Sequence, residues 1–169
     1  MIHSRVGFYF FITLCVSCSF LKNQKNNIES NPLNQLNNLE HFQKEPLITM
    51  KKTPCFGKCP YFEVSIFDDG SIIYEGFKFV DRIGVYKSKI NNKKVALIED
   101  YIRRIDFFSF DDVYDATVTD LPSIIIEVNS QGKYHKVKGR YKMPEKFRLF
   151  SKFLDNLLLE IEDWNKVMN

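Results

Sequence analysis

Two cysteines, Cys55 and Cys59, stand four positions apart in the segment T-P-C-F-G-K-C-P, Thr53–Pro60. Thiols at this spacing can form a disulfide, exchange disulfides with another protein, or contribute ligands to a metal site. The flanking prolines disfavour a helix, and Gly57 allows the chain to reverse so that the two Cβ atoms come within bonding range. We therefore favour a structural disulfide, with thiol exchange and metal binding as alternatives.

Each alternative to a structural disulfide lacks part of its usual pattern. The C-x-x-x-C spacing differs from the C-x-x-C motif of thiol oxidoreductases, and no helix start follows to stabilise a thiolate. A closed zinc site needs four Cys or His ligands, and the domain adds only His135, because His3 and His41 precede it. We expect no metal and no other cofactor.

Side chains suited to acid–base catalysis are also few. With one histidine in the domain and no G-x-S-x-G around a serine, a Ser-His-Asp triad has no basis, and His135 reads as a partly buried strand residue. Four carboxylates lie close together, as in a cation site or a glycosidase acid pair, but fit no calcium loop. They are Asp111, Asp112, Asp115 and Asp120. Asp120 directly precedes a predicted strand, where it can accept backbone hydrogen bonds, and is a candidate binding residue.

Positive charge is concentrated in Lys133–Arg148, which holds seven Lys or Arg and the single acid Glu145. Lys136, Lys138 and Arg140 alternate along a predicted strand, so their side chains share one face. Such a face could bind lipid phosphates, an anionic glycan or an acidic envelope protein, and a solvated sheet face is the simpler alternative. We expect no nucleic acid partner, because aromatic platforms do not interleave with the basic residues.

The N-terminus has the three parts of a secretory signal peptide. Met1–Arg5 carries a positive charge, Val6–Val16 is apolar or Gly apart from Thr13, and serines flank Cys18. The apolar run is too short to span a bilayer. Because the order resembles a bacterial lipoprotein signal, we predict that residues 1–17 are removed and that Cys18 is lipidated. Ordinary signal peptidase cleavage and an uncleaved anchor are the alternatives.

The predicted processing of the N-terminus determines which cysteines remain to form a pair. Removal of residues 1–17 takes away Cys15, and acylation of Cys18 leaves Cys55 and Cys59 as one pair. All three alternatives place the domain outside the cytoplasm, where disulfides persist. We expect a location in the bacterial cell envelope, facing the periplasm or the cell surface, with the membrane as a partner through the lipid.

Residues 18–46 are predicted to form a tether between the lipid and the domain. The part from Lys22 to Pro46 holds seven Asn and no Gly, a composition that favours a disordered chain. Leu33, Leu36 and Leu39 could instead form a short amphipathic helix. A flexible tether of this length spans roughly 25–30 Å, which keeps the domain near its membrane without fixing its orientation.

Residues 47–169 have the pattern of a single α+β domain. Strands are predicted at 47–53, 62–66, 71–76, 82–88, 123–129 and 133–141, with a helix capped by Asn91 or Asn92 and a last helix that starts at Pro144. The order β-β-β-β-α-β-β-α with short connections predicts an antiparallel sheet of about six strands, with both helices packed on one face.

The first hairpin allows its register to be predicted. A three-residue loop that ends at Gly70 in the left-handed conformation pairs Val64 with Tyr74 and makes one continuous apolar face. A two-residue turn would instead place Val64 opposite Glu75. We therefore predict the longer loop, even though it places Glu63 opposite Glu75 on the wet face.

Several short motifs resemble the bacterial domain-of-unknown-function family 6438. They are Cys55-Phe56-Gly57-Lys58-Cys59-Pro60, Asp69-Gly70, Tyr74-Glu75-Gly76 and Thr119-Asp120, and the resemblance extends over about residues 47–160. It implies an exported or lipid-anchored setting, and it implies no particular activity, cofactor or catalytic residue.

Taken together, these features predict a non-catalytic binding or interaction module, exported and lipid-anchored. We assign no catalytic residue. A thiol redox protein that uses Cys55 and Cys59 is one alternative, and a carboxylate-based glycan hydrolase is the other.

Overall fold

The structure is a computed structural model that describes residues 44–116 and 120–167. The predicted signal peptide (1–17), the lipidation site Cys18 and nearly all of the predicted tether lie outside these residues. So does Thr119, which precedes the candidate binding residue Asp120. Neither α-helix within the described ranges is long and apolar enough to cross a membrane.

The described residues form eight strands, two α-helices and a 3₁₀ helix. In chain order they are β1 (Ile48–Lys52), β2 (Tyr61–Ile66), β3 (Ser71–Lys78), β4 (Gly84–Lys89), α1 (Asn92–Arg104), the 3₁₀ helix (Phe107–Ser109), β5 (Val113–Tyr114), β6 (Ile124–Ser130), β7 (Lys133–Gly139), α2 (Glu145–Leu159) and β8 (Asn165–Lys166). The strands make one sheet in the order β5-β7-β6-β1-β2-β3-β4-β8, antiparallel except for the β5–β7 pair.

The predicted α+β class is therefore confirmed, while the predicted number of about six strands is too low. The two additional strands, β5 and β8, are two residues long and lie at the two edges of the sheet. A two-residue strand is too short to show the period-two alternation by which strands are recognised in a sequence.

Both helices pack on one face of the sheet. Tyr101 of α1 stacks on Phe153 of α2 with ring centroids 4.9 Å apart, and Ser151 of α2 contacts Met50 of β1. Alternate strand residues are buried beneath the helices, which gives one continuous core. Its largest fully buried side chains are Ile48, Met50, Val64, Ile66, Ile72, Ile98, Phe107, Ile126, Val128, Phe147, Phe150 and Leu154.

We call the other side of the sheet, on which neither helix packs, the open face. Its central residues are Thr49, Lys51, Glu63, Ser65, Glu127 and Lys136. Glu63 lies opposite Glu75 as predicted, and Lys51 Nζ lies 2.9 Å from Glu63 Oε2, which offsets the repulsion between the two acids.

The β2–β3 hairpin has the predicted register. Val64 pairs with Tyr74, and Gly70 ends the loop with a φ of 81°. A Cβ at Gly70 would lie 2.2 Å from the carbonyl oxygen of Ile90, so both the conformation and the space require glycine.

The two helix starts differ in how well the sequence predicts them. Asn91 caps α1, since its side-chain oxygen accepts a hydrogen bond of 3.0 Å from the Lys94 N–H. The prediction that α2 starts at Pro144 is wrong by one position, because Pro144 has an extended ψ of 143° and α2 begins at Glu145. Proline is tolerated both as the residue before a helix and as the first residue of a helix, because neither position uses its backbone N–H in a helical hydrogen bond.

The connection from β3 to β4 lies directly on β3. A Cβ at Gly76 would be 1.8 Å from the carbonyl oxygen of Arg82, so loop backbone occupies the space that a side chain would need. β4 therefore begins at Gly84 and not at Arg82 as predicted. Phe79, at the start of this loop, has a φ of 55°, a left-handed conformation that costs a non-glycine residue about 1–2 kcal/mol.

Candidate functional site

The two cysteines are placed as the sequence predicts. The sulfur atoms of Cys55 and Cys59 lie 1.89 Å apart and the Cα atoms 5.7 Å apart, in the connection between β1 and β2. The Gly57 N–H donates a hydrogen bond of 3.2 Å to Cys55 Sγ. Phe56, at the tip of this ring, is 93% exposed and therefore contributes nothing to the core.

Lys136 and Lys138 of β7 lie on the open face, and together with Arg140, which directly follows the strand, they form a basic strip that already contacts acids. Lys136 Nζ is 2.8 Å from Glu127 Oε1, Lys138 Nζ is 3.0 Å from Asp115 Oδ2, and Arg140 Nε is 3.6 Å from Asp115 Oδ1. An anion that bound to this strip would have to compete with these carboxylates, which weakens the strip as an anion site.

The four carboxylates between the 3₁₀ helix and β6 do not converge on one point: Asp111 and Asp112 precede β5, and Asp115 and Asp120 follow it. Asp115 pairs with β7, while Asp112 Oδ1 lies 3.8 Å from Nδ1 of His135, whose Nε2 is 2.8 Å from the carbonyl oxygen of Phe110. Asp120 is exposed. Within the described residues, no group of three or more His, Cys, Asp or Glu side chains could hold a metal ion.

A pocket that the sequence analysis did not predict lies where the β3–β4 loop meets the end of α2. We call it the aromatic pocket. Its volume is about 310 Å³, and it is lined by Lys52, Pro60, Phe62, Tyr74, Phe79, Val80, Asp81, Arg82, Asp155, Leu158, Leu159 and Trp164. Apolar walls with a few convergent polar groups are the usual composition of a small-molecule site.

The aromatic walls of this pocket hold one another in place. The rings of Phe62 and Tyr74 stack with centroids 5.4 Å apart, and Tyr74 meets the ring of Trp164 in an edge contact at 5.5 Å. The Arg82 guanidinium lies 5.2 Å over the Trp164 ring. These contacts fix the shape of the pocket before any ligand arrives, so binding requires little further ordering of these walls.

Opposite charges meet in the same pocket. Lys52 Nζ lies 2.6 Å from Asp155 Oδ2, which joins β1 to α2 across the sheet face. The same ammonium group lies 5.7 Å over the Phe62 ring. The pair leaves further ammonium protons and the second carboxylate oxygen available to a bound molecule.

Tyr74 differs from the other polar residues of the pocket in the burial and hydrogen bonding of its side chain. The residue is only 8% exposed, yet no group among residues 44–116 and 120–167 hydrogen-bonds to its hydroxyl. No fully buried side-chain oxygen or nitrogen in that part of the chain lacks a partner, so the hydroxyl oxygen of Tyr74, a residue that lines the pocket, is not fully buried. Burial raises the pKa of Tyr74 to about 12, which keeps the phenol protonated and able to donate.

A larger hollow on the open face is a weaker candidate. It has a volume of about 480 Å³ and is lined by Glu45, Pro46, Thr49, Glu127, Asn129 and Tyr134. Its polar groups bind one another: Tyr134 Oη donates to Glu127 Oε2 at 2.7 Å, and Asn129 Nδ2 donates to Glu45 Oε2. A ligand would have to break these bonds, whereas the Tyr74 hydroxyl has none to break with any residue that the structure describes.

The aromatic pocket was not predictable from local pattern, since its residues run from position 52 to position 164. They come from β1, the β1–β2 connection, β2, β3, the β3–β4 loop, α2 and the segment after α2. Two signals pointed to it. Gly76 lies inside a strand, where a glycine marks a close approach of backbone, and Trp164 is the single tryptophan of the chain.

Fold and pocket together define a class of protein: an antiparallel sheet with two helices on one face and a preformed aromatic pocket at the end of the second helix. The chain belongs to the family described as Domain of unknown function (DUF6438), whose profile matches residues 46–158. Comparisons with curated proteins and with solved structures found no match. The matched residues include every lining residue of the pocket except Leu159 and Trp164.

Proposed function

We propose that this protein is an exported, lipid-anchored binding module that holds a small ligand in the aromatic pocket without transforming it. The observation that carries the proposal is the hydroxyl of Tyr74. Among the described residues this nearly buried phenol has no hydrogen-bond partner, and it lines a preformed pocket in which a ligand or solvent can supply one.

The pocket residues support binding better than catalysis. Lys52 and Asp155 neutralise each other, and Tyr74, with a pKa raised to about 12, is protonated near neutral pH and therefore not available as a general base. The pocket offers no serine, cysteine or histidine among its lining residues. Its groups can therefore orient a molecule, and none is activated as a nucleophile.

The setting of the module is part of the proposal. We place a signal peptide at residues 1–17, a lipid on Cys18 and a tether up to residue 46, which would hold the pocket near a membrane of the cell envelope. The membrane is then one partner, through the lipid, and an envelope component is the source of the ligand. The basic strip of Lys136, Lys138 and Arg140 remains a candidate second contact to an anionic glycan, a lipid or an acidic protein.

The single tryptophan provides a direct test of the binding role, because Trp164 lines the pocket. Lipidated full-length protein in detergent is titrated with glycan, lipid and peptide fractions of the cell envelope while its fluorescence is recorded. We expect one fraction to change the signal in a saturable way. Tyr74→Phe should weaken that binding about fivefold, because it removes one hydrogen bond of about 1 kcal/mol and keeps the ring.

Tyr134→Phe is the matched control, since it removes a phenol from the open face, away from the pocket. Its binding curve should coincide with that of the wild-type protein. The proposal is wrong if no fraction changes the fluorescence of Trp164, or if the two variants weaken binding equally.

Thiol exchange is the second candidate function, and one observation favours it. The Gly57 N–H that donates to Cys55 Sγ would stabilise a thiolate there after reduction, in a ring whose tip is exposed. This role predicts that Cys55→Ser abolishes exchange with a dithiol such as dithiothreitol at near-neutral pH while the domain stays folded. If wild-type protein exchanges no faster than an unstructured peptide with the same five residues, the ring is structural.

A further inference from the structure

We infer that the ligand of the aromatic pocket is a neutral saccharide, of which one pyranose unit enters the pocket. The inference rests on the proposed binding role and names the chemical class of the ligand. Three features of the pocket lead to it: an exposed aromatic platform, a balanced set of hydrogen-bond donors and acceptors, and a small volume.

The platform is Phe79. This residue is 45% exposed at the rim of the pocket and has a φ of 55°, and Lys78 Nζ lies 5.1 Å from the centroid of its ring, which leaves the opposite ring face for a ligand. Strain of this kind persists only where the surroundings impose it, and Phe79 belongs to the loop whose Val80 and Arg82 pack against Gly76. A pyranose ring has an apolar face of C–H groups that stacks on such a ring, and its hydroxyls remain free around the edge.

The polar groups match hydroxyls better than they match a charged or an apolar ligand. Lys52, Arg82 and the Tyr74 hydroxyl donate, whereas Asp155 and Asp81 accept, so two cations and two anions line the pocket. Each sugar hydroxyl both donates and accepts and can bridge one group of each kind. A multiply charged anion would meet the two carboxylates, and a lipid chain would leave the charged groups desolvated and unsatisfied.

The volume limits how much of the saccharide can enter. About 310 Å³ lies at the small end of the range of ligand pockets, roughly 300–1,000 Å³. One sugar unit is a suitable occupant, and the remainder of a longer chain would continue outside past Phe79 and Leu159, whose side chains are exposed at the rim.

The experiment uses the lipidated full-length protein and the fluorescence of Trp164. The probes are the methyl pyranosides of neutral hexoses and of N-acetylhexosamines, with glucuronic acid, inorganic phosphate and phosphatidylglycerol vesicles as comparators. We expect saturable binding of at least one neutral pyranoside and weaker or no binding of the comparators. Phe79→Ala should weaken that binding about tenfold, because the stacking platform is lost.

Phe56→Ala is the matched control, since Phe56 is an exposed aromatic residue that does not line the pocket. Its affinity for the pyranoside should equal that of wild type, and thermal unfolding of both variants checks that they are folded. Equal affinity in Phe79→Ala and wild type overturns the inference.

The outcomes also separate this inference from the proposed function. Binding of phosphate, glucuronic acid or vesicles in preference to the neutral sugars overturns the saccharide inference and leaves the pocket as a binding site. If neither these probes nor the envelope fractions change the signal of Trp164, both the inference and the proposed function fail.

Discussion

Individual carboxylates of this domain have pKa values set by their hydrogen-bond partners. The pKa of Asp69 lies below its ordinary value of 3.8, chiefly because the Ser71 hydroxyl donates to it. Burial alone would raise the pKa of Glu127, but hydrogen bonds from Lys136 and Tyr134 outweigh burial and hold it below 4.5. In both cases the folded state favours the ionised form more than the unfolded state does.

The sign of the pH dependence follows from these shifts. A carboxylate whose folded pKa is depressed adds stability that is fully present above its unfolded pKa and is lost as pH falls through the folded pKa. We therefore expect the melting temperature to fall as pH decreases below the ordinary carboxylate values of 3.8–4.5. Glu127→Gln should make this decrease shallower, as measured by circular dichroism melts across an acid pH series. A wild-type domain that becomes more stable in this range would contradict the assignment.

At the scale of elements, the β3–β4 loop couples the stability of the domain to the shape of the pocket. The loop lies on Gly76 without space for a side chain, and it presents Phe79, Val80, Asp81 and Arg82 to the pocket. A change at Gly76 therefore has to displace backbone and not just a flexible side chain, which makes the cost of relaxation high.

Gly76→Ala should destabilise the domain by about 1–3 kcal/mol, the usual range for forced overpacking, and should displace Arg82 from Trp164. Urea denaturation measures the first effect, and the fluorescence maximum of Trp164 reports the second. Gly57→Ala is the matched control, because a Cβ there would meet only Cys55 Sγ at 3.9 Å, an ordinary contact. If the two substitutions cost the same, the close packing of the loop is not what makes Gly76 necessary.

For the whole molecule, the proposed arrangement is a compact binding domain on a lipid-anchored tether. Its ligand pocket and its cysteine ring are neighbours in space, because Pro60 follows Cys59 in the ring and also lines the pocket. Opening of the ring would therefore release one wall of the pocket from its constraint. We therefore expect the oxidation state of the cysteines to affect ligand binding, in a domain that the lipid anchor holds at a membrane.

Intact mass spectrometry of the protein from its native membrane fraction tests this scheme. We expect acyl chains on Cys18, loss of residues 1–17, and alkylation of Cys55 and Cys59 only after reduction. Cys18→Ser should move the protein out of the membrane fraction, whereas Cys15→Ser should still be membrane-bound after processing. Alkylation of Cys55 and Cys59 without prior reduction would show that the two thiols are free. That result would rule out the structural disulfide and favour the thiol-exchange role.

Local pattern was sufficient for the features that depend on neighbours along the chain. The β2–β3 register followed from the alternation around Gly70, and the start of α1 followed to within one residue from the neighbouring Asn91 and Asn92, because each is decided within a few residues. Phe147, Phe150 and Leu154 recur at helical spacing in the sequence, and all three are buried on one face of α2.

The tertiary structure alone decided the features that depend on distant segments. β5 and β8 are strands only because β7 and β4 offer them hydrogen-bond partners, and their two residues carry no pattern of their own. The aromatic pocket exists because β1, β3, α2 and the segment after α2 bring Lys52, Tyr74, Asp155 and Trp164 together. The sequence determines which side chains are apolar or charged, whereas packing between segments more than a hundred positions apart decides which of them meet. The cysteine ring could be predicted because its two cysteines are four positions apart, and the pocket could not because its residues come from distant segments.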